Sequence, residues 1–124
     1  MKDLFIKGNN KTPTVELVAG KGHLSFSGKS IPENTISFFQ PIFDWVDEYI
    51  KEPNEQTTFV IKLEYFNTSS SKALIEIFRK FEKLFKSGKE VLIQWYYEQD
   101  DEDMQETGED FRELLKIPVE LIVY

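Results

Sequence analysis

The segment from Thr57 to Tyr97 narrows the fold most sharply. Residues 57–66, Thr-Thr-Phe-Val-Ile-Lys-Leu-Glu-Tyr-Phe, are dense in β-branched and aromatic side chains, the composition of a strand. Ala73, Leu74, Ile77, Phe78, Phe81, Leu84 and Phe85 then fall within one arc of a helix. Asn67-Thr68-Ser69-Ser70-Ser71 opens that helix and Gly88 closes it. Val91 to Tyr97 is strand-like again. A strand, a one-faced helix and a second strand close as a right-handed crossover, so the two strands run parallel. The chain is therefore built around an α/β sheet.

The flanks extend this unit. Leu4–Ile6 and Thr14–Val18 are short strand-like runs on either side of a turn cluster, Gly8 to Pro13. Val15, Leu17 and then His23-Leu24-Ser25-Phe26-Ser27 alternate with the period of a half-buried strand, and Ala19-Gly20-Lys21-Gly22 forms a hairpin turn between them. Gly28 to Asn34 is expected to be a loop, with Asn34 capping a helix from about residue 35 to 51. After Tyr97 an acidic stretch leads into a third helix with Met104, Phe111, Leu114 and Leu115 inward. Pro118 ends it, and Val119 to Val123 form the last strand. The predicted order is β-β-β-α-β-α-β-α-β, a mixed sheet with an antiparallel edge and three packed helices in one domain over residues 1–124.

Length and charge exclude several function classes. At 124 residues with 40% hydrophobic content, one core is supported and a second is not. A net charge of -7 repels phosphate backbones and anionic bilayers, so neither nucleic acid nor a membrane is an expected partner. No apolar run approaches the roughly 18–20 residues that span a bilayer, and the polar start Met1 to Gly8 does not resemble a secretory signal. The expected address is the cytoplasm. The absence of cysteine removes disulfides, thiolate metal sites and a thiol nucleophile.

Catalytic machinery is not legible. Gly28-Lys29-Ser30 resembles the end of a phosphate-binding loop, but His23 occupies the position of its first glycine and Pro32 stands where a helix would begin. That single histidine, in a strand and without a Gly-x-Ser-x-Gly elbow elsewhere, does not make a hydrolase. Asp100 to Asp110 holds seven carboxylates, but Glu106 replaces the turn glycine of a calcium loop. Those acids favour the start of the third helix through its dipole. No cofactor and no metal site is expected.

Two features point to binding. In the first helix Ile36, Phe39, Phe43, Val46 and Ile50 form one stripe, and Phe38, Ile42, Trp45 and Tyr49 form a second beside it. Either both are core, or Phe38, Trp45 and Tyr49 form an aromatic docking surface. The second feature is Asn67 to Lys72, at the carboxyl end of a parallel strand, where open α/β sheets collect ligands. A helix N-terminus there offers unpaired N–H groups to an anion, while an ordinary hydroxyl N-cap would leave the same sequence.

Gly28-Lys29-Ser30-Ile31-Pro32-Glu33-Asn34, Phe38-Phe39-Gln40-Pro41-Ile42-Phe43-Asp44-Trp45 and Tyr65 to Lys72 together resemble the SiaC family of bacterial regulatory phosphoproteins, in sequence and in spacing. The resemblance implies a fold similar to STAS domains and a partner-switching role without enzymatic activity. A protein kinase would phosphorylate Thr68, beside the neighbouring hydroxyls Ser69 and Ser70, and a metal-dependent Ser/Thr phosphatase would reverse it. The unmodified protein would bind an output protein such as a diguanylate cyclase, linking it to cyclic di-GMP signalling. Ser30, Pro32, Glu33, Phe38, Trp45, Tyr49 and Asn67 are the expected partner-binding residues. The loops Ser30–Asn34, Asn67–Ser71 and Asp100–Asp103 are expected to lie together, so that phosphate would sit near carboxylates. Two other classes remain open: an enzyme binding a small molecule or Mg²⁺ at the same edge, and a constitutive adaptor using the aromatic surface.

Overall fold

Strict alternation in the strands decides which side of the sheet is covered. Val15 and Leu17, Leu24 and Phe26, Phe59 and Ile61, and Val91, Ile93 and Trp95 are all buried, whereas the intervening Glu16, Ser25, Val60 and Gln94 are half-buried or exposed. One face carries the core and the other meets solvent. A computed structural model of residues Met1–Tyr124 gives the strands β1 (Leu4–Ile6), β2 (Thr14–Val18), β3 (His23–Ser30), β4 (Gln56–Phe66), β5 (Glu90–Tyr97) and β6 (Val119–Val123). The helices α1 (Thr35–Tyr49), α2 (Thr68–Lys86) and α3 (Glu102–Leu114) follow β3, β4 and β5 respectively. The strands lie in sequential order, antiparallel from β1 to β3 and parallel from β3 to β6. Each right-handed crossover then steps one strand in the same direction, which places all three helices on the same face.

The element order agrees with the sequence expectation, with two local differences. The stretch from Gly28 does not leave the sheet, because β3 continues to Ser30. Gly28 takes φ 96° and absorbs a bulge between residues 28 and 29, after which Lys29 pairs with Tyr65 and Ser30 with Phe66. The turn after β2 is a short 3₁₀ turn, Ala19–Lys21, closed by Gly22 at φ 60°.

α2 anchors the core. Phe59 of β4 meets the rings of Phe78 and Phe81 edge-on at 5.2 and 4.9 Å. One charged group is buried there with them. Glu82 accepts the backbone N–H of Lys116 at 2.6 Å and pairs with Arg79 at 2.7 Å, which ties α2 to the segment between α3 and β6. Burial pushes its carboxyl upward, but the Lys116 N–H and the Arg79 guanidinium outweigh it and hold the group below the ordinary value of 4.5. A carboxyl lowered by folding stabilises above its unfolded pKa, and that contribution disappears as pH falls through the folded value. Urea unfolding between pH 7 and 3 is expected to show a smaller acid-side loss in Glu82→Gln than in the wild type. At neutral pH the same variant is expected to be less stable by about 1–3 kcal/mol.

Candidate functional site

Two helix N-termini meet at the carboxyl ends of β3 and β4. The carboxamide of Asn34 caps α1 by accepting the N–H of Ser37 at 3.0 Å, and that of Asn67 caps α2 by accepting the N–H of Ser70 at 2.9 Å. Asparagine suits this position because its side chain replaces an intrahelical acceptor for donors that would otherwise be orphaned. The two junctions are stitched together. Asn67 donates its backbone N–H to the Ser30 carbonyl at 3.1 Å. Ser70 Oγ donates to that same carbonyl at 2.9 Å and lies 2.8 Å from Ser30 Oγ. Thr35 Oγ1 and Ser69 Oγ are 2.6 Å apart, and Ser69 Oγ also donates to Asn67 Oδ1 at 3.1 Å.

This network separates the hydroxyls that sequence alone left equivalent. Ser70 is 0% exposed and sealed against Ser30. Ser69 is exposed, but its hydroxyl is engaged by both Thr35 and Asn67. Thr68 is exposed at the first turn of α2, and no side-chain hydrogen bond engages its hydroxyl. An incoming phosphoryl donor can reach it without opening the fold.

Several expected contact residues lie elsewhere. Ser30 is 1% exposed, with its hydroxyl spent on Ser70, and Pro32 is buried, so neither side chain is a surface contact. Glu33 is exposed and pairs with Lys11 at 3.0 Å. The hydrogen bond and charge of Lys11 hold its carboxyl below the ordinary value. Asn67 is half-buried, its amide oxygen shared between Ser70 and Ser69.

The aromatic docking surface is corrected. Trp45 is 7% and Tyr49 1% exposed, stacked on each other at 5.1 Å. Trp45 Nε1 donates to the Lys2 carbonyl at 2.9 Å, and the Tyr49 hydroxyl lies 2.8 Å from Thr57 Oγ1. The N-terminal residues ahead of β1 reach Trp45, so the second stripe of α1 is core. Phe38 is half-buried against Phe39, with ring centroids 5.2 Å apart. Ile36, expected in the core stripe, is instead 76% exposed.

The acidic loop follows the carboxyl end of β5 and is tied to the end of β6. Gln99 donates to the Tyr124 carbonyl at 3.2 Å and Tyr124 to the Tyr97 carbonyl at 3.0 Å, which draws the loop toward β6. It lines its own concavity, formed by residues 98–103 and Tyr124, and shares no hydrogen bond with the two stitched junctions. Asp101 caps α3 by accepting the N–H of Met104 at 3.0 Å. Nowhere does the fold bring together three His, Asp or Glu side chains that could hold a metal ion. No helix is long and apolar enough to cross a membrane.

A one-sided α/β sheet with an exposed, unengaged hydroxyl, that of Thr68, at a stitched strand-to-helix junction fits a small regulatory binding domain, and known proteins agree. Residues 6–124 match the family described as SiaC family regulatory phosphoprotein, and the chain belongs to that family. A protein of Pseudomonas aeruginosa strain UCBPP-PA14, described only as uncharacterised, is 34% identical over 118 residues, covering 95% of this chain and 94% of its own. SiaC of P. aeruginosa, solved in complex with the diguanylate cyclase SiaD that it activates, superposes with a TM-score of 0.93 at 32% identity. That match covers 98% of this chain and 100% of the other. The apo form of SiaC gives 0.90 at 33% identity, covering 98% of this chain and 99% of the other.

Proposed function

We propose that this chain is a phosphorylation-controlled binding protein without catalytic activity of its own, acting in the cytoplasm on a diguanylate cyclase. Thr68 is the phosphoacceptor in this reading, a protein kinase and a Ser/Thr phosphatase set its state, and the unmodified form binds the cyclase. The observation that carries the reading is the isolation of the Thr68 hydroxyl beside Ser69 and Ser70, whose hydroxyls are already engaged. The likeness to SiaC, solved with the cyclase SiaD, supports the choice of partner. The helix N-terminus also favours a phosphorylated side chain through its dipole and free N–H groups. Because Ser70 fastens α2 to β3 independently of Thr68, phosphate acts by charge and bulk at the surface and leaves the backbone in place.

Incubation with the cognate kinase and ATP, followed by peptide mapping, tests the site. One phosphate on Thr68 is expected. Modification confined to another residue would overturn the assignment. The competing metal-dependent enzyme has no converging ligand set to support it.

A further inference from the structure

β6 closes the sheet on one side, and its outer edge has no neighbouring strand. In a parallel ladder every second residue turns both its N–H and its C=O to the adjacent strand. The Pro118 carbonyl accepts the Ile93 N–H at 3.0 Å, and Tyr124 bonds Tyr97 and Gln99 through its N–H and its carbonyl. The even-numbered residues of this stretch therefore face β5. Val119, Leu121 and Val123 turn their backbone groups outward, and no turn, loop or cap bond closes them. The opposite edge of the sheet is β1, only three residues long, whereas β6 has five. β6 is thus the longer open row of donors and acceptors, a template for a further strand.

The surroundings of this row are apolar close by and acidic further out. Leu121 lies under α3 at Gly108, Val123 and Tyr124 are exposed, and Ile122 is half-buried on the bare face. Residues 98–113 hold nine carboxylates and one arginine, and Glu120 adds another on β6 itself. Gln99 ties the start of that stretch to the end of β6. The Tyr124 ring already holds a cation, for Lys62 Nζ lies 4.5 Å from its centroid and 5.7 Å from that of Tyr96. Pairing β6 with a second copy of itself would bring two acidic stretches together, and like charges oppose it. A cationic strand meets the opposite field.

We propose that β6 accepts, as a seventh strand, an extended segment of a partner protein in which apolar residues alternate with Arg or Lys. The backbone of the segment closes on Val119, Leu121 and Val123, as in other cases of strand addition. Its cations answer Glu120 and the carboxylates of residues 98–113. The acids thereby both guard the open edge against self-pairing and select the strand that it takes. The edge lies two strands away from the β3–β4 junction, so this binding is independent of the state of Thr68.

A short fluorescent peptide alternating Arg and Val, titrated into the full chain at physiological salt, tests the proposal. Residue-resolved amide hydrogen exchange is the main readout. With the peptide bound, the N–H groups of Val119, Leu121 and Val123 are expected to exchange at least about tenfold more slowly, while those of Glu120 and Ile122 change little. A peptide alternating Glu and Val is expected to bind at least about tenfold more weakly. The same is expected of an Arg peptide with proline in place of valine, which keeps the charge but cannot donate to the ladder. Asp100→Asn combined with Asp103→Asn is expected to weaken binding several-fold. Failure of the Arg–Val peptide to bind at millimolar concentration overturns the proposal. So does equal binding of the proline peptide, which would mean adsorption to the acids alone. Protection of the three N–H groups that grows with protein concentration, without peptide, would assign the edge to a second copy instead.

Discussion

Phosphorylated protein is expected to bind the cyclase at least about a hundredfold more weakly than unmodified protein, and Thr68→Ala to take up no phosphate while binding as the wild type does. The magnitude follows from charge. A phosphoryl group adds about -1.5 to -2 at a site where a partner excludes water. Two like unit charges at about 8 Å cost on the order of 2 kcal/mol at an effective dielectric near 20, and roughly 2.8 kcal/mol corresponds to a hundredfold in affinity. Stripping water from the dianion adds to this. Thr68→Glu carries only one charge on a shorter side chain, so about tenfold is expected for it. Ser69→Ala removes the bond to Thr35 but leaves the Thr68 hydroxyl in place, and kinase labelling is expected to persist. Calorimetry and mass spectrometry read both quantities. Full labelling of Thr68→Ala, or equal affinities before and after phosphorylation, would refute the switch.

The second large effect is on stability. Gly108 lies where α3 crosses β5 and β6, and a Cβ built on it would approach Trp95 Cδ1 to 2.5 Å and Leu121 Cδ2 to 2.6 Å. Trp95 cannot retreat. It is fully buried, its Nε1 donates to the Met104 carbonyl at 3.0 Å, and its ring packs against Phe66 and Phe111 at 5.9 and 5.0 Å. Gly108→Val therefore forces α3 away from the sheet, at a cost of about 3 kcal/mol, the upper part of the usual range for overpacking. For a domain of this size that corresponds to a melting temperature lower by roughly 10 °C. Gly20 has nothing within 4 Å of its Cβ position, so Gly20→Ala is the control, expected within about 0.5 kcal/mol of the wild type. A Gly108→Val melting curve that overlays the wild type would mean that α3 packs differently.

Both predictions concern residues whose importance was unequally visible. Asn67 and Thr68 announced a capped junction, because a cap is a local device spelled in four residues. Gly108 gave no such signal, since a glycine within a helix reveals its reason only when the indole it must clear comes from a strand 13 positions earlier in the chain. The twin stripes of α1 show the same division. Periodicity marked Phe38, Trp45 and Tyr49 as apolar, yet could not say that residues near the N-terminus would reach Trp45. Ile36 belonged to the stripe by spacing, but it sits in the first helical turn and escapes the core.

What the amino-acid order determined by itself was the succession of elements, the parallel crossovers and the Asn34 cap, all consequences of short-range periodicity and backbone hydrogen-bonding needs, whereas the cap of α2 fell to Asn67 and not to a hydroxyl. What only the tertiary structure decided was which surfaces meet. Sequential strand order left one sheet face bare, the pairing of Tyr124 with Tyr97 holds the acidic loop beside β6, and the bonds of Ser69 and Ser70 left the exposed Thr68 hydroxyl unengaged beside them. Local patterns specify that a side chain is apolar or able to bond. The partner that satisfies it comes from distant chain, so burial and isolation are properties of the assembled fold.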